Sequence, residues 1–254
     1  MQEINYETLL KGGVHFGHLS RKWNPKMAPY IFMKKNGIHI IDLNKTEAKL
    51  HEAGAAMRQM AKSGRKIMFV ATKKQAKNIV AQHADSCNMP YITERWLGGM
   101  LTNFSTIRRS IRKMDQIEKL LADPNASGIA KRERLMMTRQ KEKIERDLGS
   151  IKDLTRLPAA LFIVDVNREN IAVAEAKKLG IPTFAMVDTN TDPTIVDFPI
   201  PSNDDASSSI DLIAGYLAGM IKEGLADRKV VKEELEEETK QKQEAKKPEE
   251  KKAE

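Results

Sequence analysis

The stretch Glu94-Arg95-Trp96-Leu97-Gly98-Gly99-Met100-Leu101-Thr102-Asn103-Phe104 gathers a cation, an aromatic ring, a hydroxyl and an amide around two adjacent glycines. Paired glycines adopt backbone angles closed to other residues and let a second backbone come close. The side chains beside them are of the kinds that meet phosphate, sugar or an unstacked base, and none is an evident nucleophile. The stretch reads as a binding surface. A plain turn with Trp96 and Phe104 in the core is the alternative, and spacing alone does not separate the two. Arg108, Arg109, Arg112 and Lys113 follow directly and favour phosphate contact. A second group, Arg21-Lys22-Trp23-Asn24-Pro25-Lys26, continues through Tyr30 and Phe32. Cations interleaved with rings suit an RNA-facing arm, the cations on phosphates and the rings on bases. These rings could also belong to a core, Phe32 before Trp23.

The rival chemistry is enzymatic. His15, His18, His39, Asp165 and Asp188 could gather as metal ligands or acid-base groups, with His15, His18 and Asp165 at the centre of a metal-dependent site. Against this, a histidine beside Phe16 or between Ile38 and Ile40 is more often a hydrogen-bonded core residue, and aspartates cap turns. Neither strand-to-helix turn of the first half carries a G-x-G-x-x-G or G-x-x-x-x-G-K-S/T phosphate cradle, which counts against a nicotinamide enzyme or an NTPase. Lys73 and Lys74 fill one of those turns instead. The expectation is a binding protein without cofactor or metal.

Charge supports that expectation. Over 254 residues the chain carries 43 basic and 35 acidic side chains, net +8, and a pI near 9.4. Such an excess favours polyanions, nucleic acid first and anionic membrane second. The longest apolar run, about Ala159 to Val164, is far short of the roughly 20 residues of a spanning helix. The first residues lack the basic start and apolar core of a signal peptide. Cys87 is the sole cysteine, so no internal disulfide forms, and a reducing cytosol is expected.

The elements that must position these residues follow from apolar periodicity. A short helix at Ile4 to Leu10 stops at Gly12-Gly13; residues 21–35, with two prolines, read as an extended arm. Ile38 to Asp42, Lys66 to Ala71, Pro158 to Asp165 and Gly180 to Asp188 are apolar strands, and Ile195 to Pro201 is extended. Helices alternate with them: one capped at Asn44, one opened by Thr72-Lys73-Lys74-Gln75 with His83 on its buried face, one led by Asn167 to Asn170, and a last one capped by Ser202 to Asp205. Strands apolar throughout, alternating with helices, give a parallel sheet covered on both faces. Between them, residues 104–149 form two long helices joined by a Pro/Gly turn, an inserted antiparallel hairpin with 12 basic and 7 acidic residues. The domain reading is 1–103 for the arm and first half of the α/β unit, 104–149 for the hairpin, 150–226 for the second half and 227–254 for a charged tail, disordered or helical.

Leu9 to His18, Trp23 to Met27, Asn36 to Leu43, Arg95 to Asn103 and the Pro158 to Pro182 block together resemble the bacterial small-subunit ribosomal protein two family. The likeness runs from residue 1 to about 225 and departs from the pattern at Leu19-Ser20, where a glutamine is commoner. The resemblance implies a flavodoxin-like, doubly wound α/β fold with the inserted hairpin. It also implies a structural role on 16S rRNA near the head–body junction of the small subunit, beside other ribosomal proteins, and support for docking the large mRNA-binding protein one. The candidate RNA contacts are Arg21, Lys22, Trp23, Asn24, Lys26, Lys73, Lys74, Arg95, Trp96, Gly98, Gly99, Thr102, Asn103, Arg108, Arg109 and Arg112.

Overall fold

Ile67-Met68-Phe69-Val70, Ala160 to Val164 and Thr183 to Val187, apolar but for Thr183, are buried along their whole length because both faces of the sheet they form are covered. The computed structural model describes residues 4–122 and 130–250, with the side chains of 231–250 excepted. In chain order its elements are α1 (Tyr6–Lys11), β1 (Phe16–Leu19), β2 (Ile31–Lys35), β3 (Ile38–Ile41), α2 (Leu43–Lys62), β4 (Ile67–Val70), α3 (Lys77–Ser86), β5 (Tyr91–Ile92), α4 (Phe104–Ala122), α5 (Lys131–Leu148), β6 (Ala160–Val164), α6 (Asn170–Leu179), β7 (Thr183–Val187), β8 (Phe198–Pro201) and α7 (Ser207–Glu250).

The five-stranded sheet is parallel throughout, in the order β5-β4-β6-β7-β8. Numbered from its own first strand this is 2-1-3-4-5, the flavodoxin-like order, with its switch point between β4 and β6. Side chains alternate between faces. Phe69, Phe162 and Phe184 stand in register on one face, packed with α2, α3 and α7. Met68, Val70, Leu161 and Ile163 stand on the other, against α6 and the base of the hairpin. Phe69 meets Phe162 edge-on at 5.3 Å, and each fully buried ring contributes about 1.5–3 kcal/mol. The hairpin is antiparallel: Lys141 of α5 pairs with Glu118 of α4 at 2.8 Å, and Arg134 donates to the Leu121 carbonyl at 2.9 Å. The turn expected at Asp123-Pro124-Asn125 and Ser127-Gly128 lies outside the described residues.

The first forty residues depart from expectation. The arm is not extended: Ser20–Lys22 and Pro25–Tyr30 form 3-10 turns, the second started by Pro25 and by Asn24, whose side chain accepts from the Lys26 amide. Ile38 to Ile41 does not join the parallel sheet but is the central strand of a separate antiparallel sheet, β1-β3-β2. The physical reason is Asn36-Gly37, both at positive φ (51° and 78°), the two-residue turn that folds β2 back on β3. The Asn44 cap moves to Asp42, whose carboxylate accepts from the Asn44 amide. Residues 73–76 are a turn before α3 rather than its start, and His83 is half-exposed, bonded to Asp211 at 2.7 Å. The tail takes the helical form: α7 runs unbroken to Glu250.

Helix α7 lies across α2, and small residues set how closely. A Cβ at Gly224 would fall 2.3 Å from the Arg58 carbonyl oxygen, a backbone atom that cannot step aside. Arg58 in turn reaches Glu223 at 3.4 Å and Asp227 at 2.9 Å. Gly224→Ala is expected to lower stability by about 1–3 kcal/mol through overpacking. Gly98→Ala, with nothing within 4 Å of the new methyl, should stay within about 0.5 kcal/mol of the parent. Chemical denaturation followed by circular dichroism measures both, and equal losses would refute this packing argument.

Candidate nucleic-acid interface

The Gly-Gly loop is held from beneath by one carboxylate, Glu175 of α6. Its Oε1 accepts from the Gly99 amide at 2.7 Å and the Trp96 indole at 3.2 Å. Its Oε2 accepts from the Leu101 amide at 2.9 Å, the Thr102 amide at 3.0 Å and the Thr102 hydroxyl at 3.1 Å. Gly99 sits at φ 89°, the left-handed region that lets successive amides converge on one acceptor. Trp96 is therefore a core residue, 6% exposed, in the same apolar cluster as Met100, Leu101 and the arm's Met27. Arg95, Gly98, Thr102 and Asn103 remain on the outer side of the loop. Asn103 also starts α4, its side chain accepting from the Thr106 hydroxyl at 2.9 Å.

Along the hairpin base Arg109 and Arg112 are exposed, whereas Arg108 turns back and donates to the carbonyls of Lys152 and Leu154 at 3.1 and 2.9 Å. In the arm Arg21 and Lys22 are exposed. Trp23 is 38% exposed and leans on His39 at 5.2 Å, while Phe32 is 68% exposed, the reverse of the expected ranking. Asn24 donates its amide to the Thr189 carbonyl, and Lys26 pairs with Asp192 at 2.6 Å, an ammonium that holds the Asp192 carboxyl down at about 2. Lys74 is exposed and its neighbour Lys73 is not.

Lys73 is turned into the molecule. Its ammonium lies 2.9 Å from Asp204, 2.6 Å from Asp205 and 3.5 Å from Asp165, so it is not free to meet a phosphate. Burial works against its charge, yet hydrogen bonds and attraction from these carboxylates raise its pKa. Burial, with Asp188 and Asp165 close by, pushes Asp204 up to about 7 despite Lys73. His18 completes the group, 2.9 Å from Asp188 and 3.4 Å from Asp205, and its hydrogen bond to Asp188 raises its pKa against the effect of burial. Beside it at the switch point, Glu169 accepts from the Thr72 amide and hydroxyl, and Arg168 donates to that hydroxyl.

The set His15, His18 and Asp165 does not assemble as a site. His15 leans on Phe16 beside an apolar groove, and burial lowers its pKa. Asp165 faces Lys73. Among the described residues the donors close enough to share a divalent cation are His18, Asp188 and Asp204, within 4.8 Å of one another, with the Lys73 ammonium already against Asp204. No nucleophile stands among them. Sequence reasoning missed Glu175, and it read Asp204 and Asp205 as part of a helix cap rather than as partners of Lys73 and His18. The available signal for Glu175 was an acid on the stripe Ala172, Val173, Ala176 that α6 buries.

Burial alone would raise the Glu175 pKa, but the hydrogen bonds from Thr102, Gly99, Leu101 and Trp96 hold it below its ordinary 4.5. Folding thus lowers the pKa, so the stabilisation is present above pH 4.5 and is lost as pH falls through the folded value. Glu175→Gln should cost about 2–3 kcal/mol at pH 7 and flatten the acid limb of the stability–pH curve. Unfolding followed by Trp96 fluorescence in a Trp23→Phe background measures it, and an unaltered acid limb would refute it. Lys73→Met leaves the carboxylates unopposed and should cost about 3–5 kcal/mol, partly restored in Lys73→Met/Asp204→Asn. Equal stability of the single and double variants would exclude this charge balance.

No helix among the described residues is long and apolar enough to cross a membrane. The family described as Ribosomal protein S2 matches residues 9–224. A relative from Cytophaga hutchinsonii named small ribosomal subunit protein uS2 is 61% identical over 228 residues, covering 90% of each chain. Proteins of the same name from Phocaeicola vulgatus and Bacteroides fragilis are 61% and 59% identical over 236 residues, 93% of this chain and 85% of theirs. With a match across the sheet, the arm and the hairpin alike, the chain belongs to the ribosomal protein S2 family.

Proposed function

We propose that this protein is a structural component of the small ribosomal subunit, seated on 16S rRNA near the head–body junction. The family is one of non-enzymatic ribosomal proteins. The observation that carries the RNA reading is the set of exposed cations Arg21, Lys22, Lys74, Arg95, Arg109 and Arg112, none in an ion pair among the described residues. They neutralise phosphates and release counterions, while Asn103, Thr102 and the half-exposed Trp23 offer polar and stacking contacts. Because A-form RNA shows little readable sequence in its major groove, recognition is of backbone, shape and 2′-hydroxyls.

Protein neighbours, among them the large mRNA-binding protein one, need a different chemistry. An apolar groove of about 500 Å³ beside β1 and β2, lined by Tyr6, Leu10, Phe16, Phe32 and Met33, suits a protein side chain better than a phosphate. The segments 1–103, 104–149 and 150–226 then divide the work, with the hairpin base on RNA and the arm facing both. Sedimentation of a lysate at moderate and high salt is the test. The protein should travel with small subunits and be released as salt rises, and Arg109→Ala/Arg112→Ala should release at lower salt. A chain found only among free soluble proteins at every salt would refute the proposal.

A further inference from the structure

At the amino-terminal edge of the parallel sheet, opposite the crest formed by Lys73 and the aspartates, two grooves adjoin. One, about 780 Å³, runs between the end of α2 and the segment before β6; the other, about 570 Å³, runs between α3 and α7. They share Lys66 and Asn88. Arg65 and Arg156 line the first, opposed by Asp85 and Asp153. Lys222, Arg228 and Lys229 line the second, with no carboxylate among its lining residues. All of these cations are exposed, and none is in an ion pair among the described residues.

The charge here is sorted by helix geometry. Lys222, Leu225, Ala226 and Lys229 share one face of α7, which borders the groove. Glu223 and Asp227 lie on another, where both are engaged by Arg58 of α2. Arg58 thus draws Glu223 and Asp227 toward α2, while Lys222 and Lys229 stand on the face that borders the groove. Helices α2 and α3 end at this edge, and each brings roughly half a negative charge. Lys66 meets that need by donating to the Asn88 carbonyl at 2.5 Å. Among the described residues that line the two grooves, two half charges and two carboxylates do not balance six cations. Gly64, at φ 75°, lets the Arg228 guanidinium lie over it, since a Cβ there would be 2.3 Å from Arg228 Cζ. Between the cations stand small polar residues, Asn88 and the serines Ser63 and Ser86, whose hydroxyls donate to the Met60 and His83 carbonyls and so can accept from a ligand.

We infer that this edge is a second RNA-backbone surface, separate from the arm and the hairpin base, with Lys66, Lys222, Arg228 and Lys229 on successive phosphates and Asn88 and Ser86 within reach of 2′-hydroxyls. A row of exposed cations with no carboxylate along the second groove fits a phosphodiester chain, and Leu225 and Ala226 between them give its sugars an apolar floor. The inference rests on the ribosomal RNA reading and adds to it a face and its residues.

The test uses the full chain rebound to small subunits stripped of it, with p-benzoylphenylalanine introduced at the exposed Ser86. Photocrosslinking to rRNA is expected. Crosslinks to protein alone, or none from a particle that has bound the chain, would overturn the inference while leaving the ribosomal reading intact. Failure of the chain to bind the particles would overturn both. In parallel, Lys66→Gln/Lys222→Gln/Lys229→Gln should keep the parent's unfolding midpoint and reduce the log–log salt dependence of 16S rRNA binding by about 2, at roughly 0.7–0.9 per phosphate contact. An unchanged slope would overturn it.

Discussion

Charge balance at the crest of the parallel sheet is the constraint on which the rest depends. Asp165, Asp188, Asp204 and Asp205 follow β6, β7 and β8, and among the described residues two cations pair with them, Lys73 after β4 and His18 from β1. At an effective dielectric near 20, two unit charges 4 Å apart interact by about 4 kcal/mol, so these carboxylates cannot share one edge without compensation. Lys73 must therefore point inward, and His18 must be brought in by the arm. The His18 amide adds hydrogen bonds to Asp188 and to the Thr189 hydroxyl, so the antiparallel sheet is tied to the parallel one at the point of greatest electrostatic need. The crevice where doubly wound folds usually hold a ligand is filled by the protein's own side chains. The RNA contacts proposed above accordingly lie on the rim.

The Gly-Gly loop repeats the same logic on a smaller scale. One buried carboxylate gathers three backbone amides, a hydroxyl and an indole, and so fixes which side chains of the loop face outward. Residues of the loop that look like binding groups divide into two kinds: Trp96 builds the platform, and Arg95 and Asn103 stand on it. A loop ordered in advance loses less conformational freedom when RNA arrives. Arg108 acts similarly, clamping the hairpin base to the chain before β6 while Arg109 and Arg112 stay outward.

What could be read from the sequence was what local periodicity encodes. The apolar strands, the amphipathic hairpin with Ile107, Ile111, Met114 and Ile117 on one stripe, and the alternation that implies a parallel sheet all survive in the structure. Ile38 to Ile41 shows the limit, because an apolar run of four looks alike in either kind of sheet and only the Asn36-Gly37 turn separates them. Pairings between distant residues were beyond such reading. Lys73 finds Asp204 across 131 positions, and Trp96 finds Glu175 across 79. A lysine in a strand-to-helix turn has the same local signature whether it serves a phosphate or a buried carboxylate.

The two edges of the parallel sheet handle charge in opposite ways. At the crest, cations and carboxylates from distant parts of the chain neutralise one another and the fold closes over them. At the opposite edge, Glu223 and Asp227 of α7 turn to Arg58, and Lys222, Arg228 and Lys229 have no ion-pair partner among the described residues. The two edges thus differ in local sign, a difference that the net charge of +8 does not convey. Unopposed cations repel and weaken the isolated chain. A polyanion bound to the folded form alone removes that repulsion and stabilises it by mass action. On the proposed RNA reading the free protein is the less stable state, and the electrostatic terms that weaken it alone are those that would hold it to RNA.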